Sequence, residues 1–572
     1  MMPIGATINK SIEDAEPTNG PARGKSQVDG TGMRQRMRPT ARMCAIAIAM
    51  TMPLVLAGAG EASAAGDGPP PAPSFEVTRF EVVGDNPLNA SETDALLAPF
   101  TGPATGLEAI EDAAFALEEA LKASGNVFHR VIVPPQRASG GVFKLEVLAF
   151  TLEEIAVQGN EHFDEHNVLR ALPMLRPGTA PNSLNVARSL QLANDHPSRR
   201  VAVFLRESGR RGALAADVRV ADVDPLVAYV SASTTGDSRT GRWRATVGAQ
   251  HSNLFDRDHQ VTVGYTTSIS QPSDVQQFSA SYRVPLYGLF SSASAYLITS
   301  RASQGTTEIG QISGAGRFFG LSTTTVLTPI GNYNHRVGFA LDDRVFDNES
   351  VFTDLLLSFG VTPPEDVRSR PVTLSYQGRQ ESGRRKMNFN VAYVHNLPFG
   401  RFNTDARYAD NRIEADATWQ AFRFGAGLEQ GFGSDWLLRA SFNGQVAREA
   451  MIPGEQFGIG GGYSVRGFQE RELTGESGFQ GTFQIESPAT SYGVRAIAYV
   501  DAGHVMPAEE SASVGGGETI VGIGGGLRWN SGVGVSASLD VAQALEGNDR
   551  ALGIDTTREG SLLAHANVFF RY

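Results

Sequence analysis

The chain has a single cysteine, Cys44, which lies in a segment expected to be removed. The mature protein then has neither a disulfide framework nor a thiolate metal site. Long apolar runs are also missing. After residue 65 no stretch offers the roughly 18 unbroken apolar residues that a membrane helix needs. If the mature chain crosses a membrane, it does so as a barrel of strands. Surplus positive charge is absent as well. Removing residues 1–64 takes away 7 Lys/Arg and 5 Asp/Glu, leaving 42 against 56 and a net charge of −14. That balance argues against nucleic-acid binding, which wants clustered cations. Catalytic signatures are wanting too. The glycine runs 460–462, 515–517 and 524–526 lack the Gly-Lys-Ser/Thr ending of a phosphate loop. No Gly-x-Ser-x-Gly elbow or Ser/His/Asp set appears. His162 and His166 flank Glu165, but Phe163 stands where a zinc helix requires glutamate. No enzyme activity, cofactor or metal is therefore expected.

Glycine is plentiful, 63 of 572 residues, or about 11% against a usual 7% or so. It disfavours helices and serves turns and barrel bends, so it points to β structure. At the N-terminus, Arg34, Arg36, Arg38 and Arg42 precede an apolar run from Cys44 to Leu56, broken by Thr51 and Pro53. Ala62-Ser63-Ala64 then fits the small-x-small cleavage rule, so residues 1–65 read as an N-terminal extension and signal peptide, with Ala62 and Ala64 as the small residues of the cleavage site. The alternative, an uncleaved anchor helix, suits neither the shortness of the run nor Pro53. Translation is expected to begin at Met33.

A proline-rich leader, 66–74, is followed by two units of similar element order, 75–150 and 151–222. In the first, Phe75–Gly84 reads as a strand, and Ser91 caps a short helix with Asp94 completing a partial capping box. Leu107, Ile110, Ala114, Leu117 and Leu121 share one face of a longer helix, and Val127–Pro134 and Gly141–Phe150 close the unit as strands. In the second, a strand (Leu152–Gly159), helices (Asp164–Leu172 and Asn182–Asn194) and two strands (Arg199–Leu205 and Ala213–Val220) repeat the order. From 223 to 572 the helical period stops. About sixteen alternating segments of roughly ten residues follow, an even number, as a bacterial outer-membrane barrel requires. Within Gly493–Gly503, Val494, Ala496, Ala498, Val500 and Ala502 fall on one face, with Arg495, Tyr499 and Asp501 on the other. The last segment alternates through Leu562, Ala564, Ala566, Val568, Phe570 and Tyr572, so an aromatic ring ends the chain in the interfacial girdle. A soluble sandwich would alternate similarly, but so many strands with no second core pattern do not suit one. The fold class is thus an all-β transmembrane barrel of about sixteen antiparallel strands, preceded by two small α+β domains.

Several stretches together resemble the two-partner secretion transporters of the outer membrane, the hemolysin secretion/activation type, in which two POTRA domains precede a barrel. They are Gly125-Asn126-Val127 with Val131–Gln136, Leu190–Asp195 with Pro197 and Arg199-Arg200-Val201, Ala216–Val220, Thr240-Gly241-Arg242 and Asn253-Leu254-Phe255. Most specific is Val465-Arg466-Gly467-Phe468, inside a long loop from about Glu449 to Gly478. It resembles the tip motif of the sixth extracellular loop, which folds back into the lumen in this superfamily. Tyr499-Val500-Asp501-Ala502-Gly503 resembles the inner-wall motif that meets it. The resemblance implies that Arg466 pairs with Asp501, and a wet lumen would make the pair partly exposed, worth about 0–1 kcal/mol.

The resemblance further implies transport of a secreted exoprotein, held through its N-terminal secretion domain, from periplasm to cell surface. The POTRA domains would lie in the periplasm and the barrel among outer-membrane lipids. Val568, Phe570 and Tyr572 would form the C-terminal signal read by the barrel-assembly machinery. The alternative is an assembly or insertion factor of the same superfamily, which usually carries more than two POTRA domains. One departure stands out. The leader 66–74 is too short and too proline-rich for the plug helix that usually precedes the first POTRA domain, so the means of closing the pore is open.

Overall fold

The computed structural model describes residues 75–572 apart from 138–139, 211, 239, 303, 308–309, 348–364, 509–515 and 548–555. Met33, Cys44, the cleavage residues Ala62 and Ala64 and the leader 66–74 lie outside the described residues. No helix among those described is long and apolar enough to cross a membrane.

The first unit is a three-stranded sheet with Val142–Ala149 in the centre, parallel to Arg79–Gly84 and antiparallel to His129–Ile132. The helix Leu107–Ala123 covers it because Ile110, Ala114, Leu117 and Leu121 return at the helical period and bury against Phe80, Leu145 and Val147. Leu107, expected on that face, is exposed in the first turn. The short helix Ala90–Leu97 starts earlier than the sequence suggests. Asn89, in extended conformation, is its cap and accepts from the Glu92 amide at 2.9 Å, which leaves Ser91 inside the first turn. The expected strand Phe75–Gly84 is interrupted at Thr78. Its first piece, Phe75–Val77, leaves the sheet to pair with Gly102–Thr105. The second unit repeats the sheet as Thr151–Gln158, Ala213–Asp222 (central) and Arg199–Glu207. Its helices, Glu165–Arg170 and Ser183–Ala193, are capped by the side chains of Asp164 and Asn182. Asn182 also donates to the Ser124 carbonyl at 2.9 Å, tying the two units together.

Sixteen antiparallel strands then close on themselves. They are, in order, Leu226–Ser233, Arg244–Leu254, His259–Ser268, Gln276–Leu286, Ser291–Ser300, Gly316–Val326, Tyr333–Phe346 and a two-piece eighth, Val367–Ser369 with Pro371–Ser382. The second half runs Arg385–Asn396, Gln420–Phe432, Trp436–Ala447, Ser477–Glu486, Val494–Met506, Glu518–Asn530, Val535–Glu546 and Leu562–Arg571. The alternation read from sequence holds: Ala496, Ala498, Val500 and Ala502 face outward, while Tyr499 and Asp501 are buried toward the lumen. The last strand closes the barrel by pairing Asn567–Arg571 with Tyr229–Ser233.

The second α+β unit sits on one mouth of the barrel, which fixes that mouth as the side from which the chain enters. Arg199, fully buried, donates to both carboxylate oxygens of Asp258 (2.8 and 3.3 Å), a residue of the turn between the second and third strands. Tyr287, from the next turn at this mouth, donates its hydroxyl to the same carboxylate at 2.6 Å. His196 completes the joint: its Nε2 donates to the Ser252 carbonyl at 2.8 Å and its Nδ1 accepts from the Ser198 amide at 3.2 Å.

Candidate functional site: the lumen loop and its wall

The expected long loop spans 448–476, between the eleventh and twelfth strands, on the face away from the α+β units. A short ribbon, Phe457–Ile459 with Leu473–Gly475, stiffens it. Beyond the ribbon, the Ser464 amide donates to the Gly461 carbonyl and the Gly461 amide to the Val465 carbonyl, both at 3.1 Å, which turns the tip over. Gly467 has φ +96°, a left-handed conformation that a side chain resists. Val465 and Phe468 are fully buried against Ile459, Val505, Ile520 and Ala544, so the tip is pressed onto the wall by apolar contact as well as charge.

Between those two apolar residues Arg466 points at the wall. Its Nε and Nη2 donate to the two oxygens of Asp501 at 2.7 and 2.9 Å, a bidentate fork. The Arg466 amide adds a third hydrogen bond to Asp501 at 3.1 Å. Nη1 reaches Gln484 at 3.0 Å and Asp540 at 3.2 Å, and the guanidinium carbon lies 3.2 Å from the centre of the Tyr499 ring. Arg528 shares Asp540 at 2.8 Å, and His565 accepts from the Gly467 amide at 3.2 Å. The wall site therefore draws on five consecutive strands, the twelfth to the sixteenth.

Glycine makes room for it. Gly522 lies directly across the strand pair from Asp501, and a Cβ there would stand 2.1 Å from the Arg466 carbonyl. A Cβ at Gly503 would likewise press on Ile459 and Val465.

The expected exposure of the pair is corrected by this geometry. Arg466 is 5% exposed and Asp501 0%. The lumen at this level is filled by the loop, so the pair is dry. Removing one partner of such a buried pair costs about 3–5 kcal/mol, far above the value of an exposed one.

The loop is also held on the other side, by residues that no motif announced. Glu455 accepts from Arg344 of the seventh strand at 2.8 and 3.0 Å and from Arg423 of the tenth at 3.4 Å. Glu476, at the end of the loop, pairs with Arg412 from the outer loop 397–419, whose helix Asp405–Asn411 caps that side. There Tyr408, Trp419, Met451 and Ile452 pack together, all nearly inaccessible. The lumen loop thus crosses the barrel, with an arginine bound to one wall and a glutamate to the facing one. Ion pairs drawn from strands far apart in sequence leave no spacing to read. The only available signal was the inward parity of Arg344 and Arg423.

His162 and His166 are not brought together. The His162 ring contacts Asp222 at 3.1 Å, while His166 faces a cavity beside Arg170.

Comparison with known proteins bears on what this arrangement serves. The family model described as haemolysin secretion/activation protein ShlB/FhaC/HecB matches residues 216–529, more than half of the chain. The chain belongs to that family. A ShlB-type POTRA domain matches 75–149. Outer membrane transporter CdiB of Dickeya dadantii is 22% identical over 475 residues, covering 80% of this chain and 82% of its own. CdiB of Escherichia coli O6:K15:H31 is 24% identical over 425 residues, covering 71% and 68%. Among solved structures, CdiB from Escherichia coli superposes with a TM-score of 0.68 at 17% identity, over 89% of this chain and 93% of that one. CdiB from Acinetobacter baumannii gives 0.65 at 16%, over 88% and 90%. As a haemolysin secretion/activation protein, the chain is an outer-membrane transporter of the two-partner secretion type, with its POTRA units on the periplasmic side.

Proposed function

We propose that this transporter passes an unfolded exoprotein through the barrel after its POTRA units, 75–150 and 151–222, have captured the exoprotein's N-terminal secretion domain. The barrel, 223–572, supplies the path. The observation that carries the reading is the lumen loop itself, lodged across the pore by buried pairs at both walls. Capture by β-augmentation needs an unpaired strand edge. In the first unit the edge at His129–Ile132 is blocked, because the Val131 amide donates to Glu118 at 3.2 Å. Arg79–Gly84 pairs on one side only, with Val142–Ala149, and is the edge that suits an incoming strand. No nucleotide motif supplies energy, so folding of the exoprotein outside would bias its movement outward. The test is co-expression with the exoprotein of the neighbouring gene. Secretion should fail when a proline replaces Val82 in the edge strand while the barrel remains inserted, and unchanged secretion would overturn this route of capture.

Insertion is assigned to the last strand, with Val568, Phe570 and Tyr572 presenting their side chains outward to lipid and to the barrel-assembly machinery. Deleting Phe570–Tyr572 removes the residues that pair with Ala228–Val230. Heat-modifiable gel mobility should show the deleted protein unfolded in the periplasm. Normal amounts in the outer membrane would move the signal elsewhere.

A further inference from the structure

A cavity of about 460 Å³ lies where the second POTRA unit meets the barrel rim, apart from the lumen loop and its walls. Its lining carries four basic side chains, His166 and Arg170 from the POTRA helix and Arg257 and His259 from the rim, with Pro173, Pro285, Tyr287 and Gly288 completing it. None of these residues is acidic. Of the nearby carboxylates, Asp258 accepts from Arg199 and Tyr287, and Asp256 accepts from the Asn253 side-chain amide at 3.2 Å and forms no ion pair among the described residues. Arg170 is aimed by a hydrogen bond to the Asp256 carbonyl, and among the described residues neither Arg170 nor Arg257 has a carboxylate within ion-pair distance. Two arginine charges gathered at one concave site repel one another unless an anion joins them, and the two imidazoles beside them offer N–H donors to the same anion.

The position says which anion. His259 opens the third strand and shares its parity with Val263 and Tyr265, about 40% exposed on the outward face that meets lipid. Its Nδ1 is 2.6 Å from the hydroxyl of Tyr282, which pairs across from Val261 on that face. Phe255 stands beside the cavity, 74% exposed and edge-on to the His259 ring, and Leu289 is 68% exposed in the next turn. The site is therefore basic within and apolar at the rim, at the level where the periplasmic leaflet ends. We infer that this cavity binds a phosphate-bearing headgroup, supplied by an anionic phospholipid of the periplasmic leaflet whose acyl chains lie against Phe255 and Leu289. Arginine forks suit phosphate oxygens, and a basic pocket at a membrane boundary is a recognised way to hold an anionic lipid. Bound there, the lipid would join the POTRA unit to the barrel through both Arg170 and Arg257.

The test uses the purified full chain in non-ionic detergent, with native mass spectrometry counting retained ligand. The probes are dioleoylphosphatidylglycerol, dioleoylglycerol and glycerol 3-phosphate, each compared with the H166A/R257A double variant. Arg170 is left alone because it also holds the turn. The unaltered protein should retain phosphatidylglycerol well above dioleoylglycerol, and the double variant should lose about tenfold of that affinity, the worth of one charge-assisted contact. Heat-modifiable mobility checks that the variant barrel is folded. Should glycerol 3-phosphate bind as tightly as the lipid, the source is free phosphate and the lipid assignment falls. Equal retention of phosphatidylglycerol by both proteins, or equal binding of dioleoylglycerol, overturns the site.

Discussion

Two buried arginines each grip an aspartate of the barrel through a two-pronged hydrogen bond, and they differ in what surrounds them. Arg466 in the lumen serves Asp501, Asp540 and Gln484, lies against Tyr499, and is backed by Arg528 on the shared carboxylate. Arg199 at the periplasmic mouth has one carboxylate, Asp258, with Asn167 beside it, and its Nε has no hydrogen-bond partner among the described residues. The lumen site draws on five strands; at the periplasmic joint Arg199 has a single carboxylate from one turn, while Asp195 pairs separately with Arg283 and Arg336. The same ionic bond is therefore shared among several acceptors in one place and rests on a single carboxylate in the other. A histidine in contact with the second pair adds a sensitivity to acid there.

Arg466→Ala probes the richer site and should have the largest effect. Two buried carboxylates lose a partner, so the seated loop should be destabilised by about 3–5 kcal/mol. Hydrogen exchange over 457–475 should rise while the strands stay protected, and secretion should drop with the barrel intact. Normal exchange there would mean the pair does not hold the loop. Exchanging the charges, Arg466→Asp with Asp501→Arg, should not restore secretion. Asp540 and Gln484 are placed for a cation arriving from the loop.

Arg199→Ala strands only Asp258 and should cost about 3 kcal/mol, near the lower end of that range. It should loosen the POTRA unit from the barrel without unseating the loop. A disulfide engineered across the joint would then form more slowly, and an unaltered rate would show that the other contacts suffice. Burial holds Asp258 up and Arg199 and Tyr287 hold it down, and the latter win, leaving it below its ordinary value.

Acid tests the joint without a mutation. Burial first, and then the charge of Arg199, depress His196 from 6.5 to about 4. Its Nδ1 faces an amide donor, so a proton has no favourable place there. A folded-state pKa below the unfolded one means that stability is full above about pH 6.5 and falls as pH drops toward 4. The loss should be about 2 kcal/mol by pH 5, confined to the joint. His196→Gln should flatten that dependence, and a pH profile unchanged by the substitution would remove the histidine from the account.

The smallest effect is expected from Tyr287→Phe. It deletes one hydrogen bond to a charged group, worth about 1.5 kcal/mol, while Arg199 keeps Asp258. A double-mutant cycle with Arg199→Ala should show coupling, since both act on one carboxylate.

How far these sites could be read from sequence follows the same contrast. Period-two alternation placed Asp501 inward and Val500 outward, and the tip motif named Arg466, because those signals are local. Asp540, His565 and Gln484 face inward by the same alternation, as do dozens of others. Only the stagger of the strands brings these three level with the loop tip. The exposure of the central pair was misjudged because the volume of the folded loop, which dries the site, is not a property of any one segment. The helix cap is Asn89 and not Ser91 because either residue type can cap, and it is at Asn89 that the backbone is extended and the side chain reaches the Glu92 amide. The joint was least legible: Arg199 and Asp258 lie 59 residues apart and belong to different units.

Gly522 leaves the Arg466 carbonyl almost touching the wall, and this has an electrical meaning. A loop that fits so closely is a resistor whose value depends on its position. Conductance across a planar bilayer therefore reports whether the tip is home, independently of any exoprotein. Gly522→Val should unseat the tip by bulk alone, with every charge in place, and raise the conductance of the barrel.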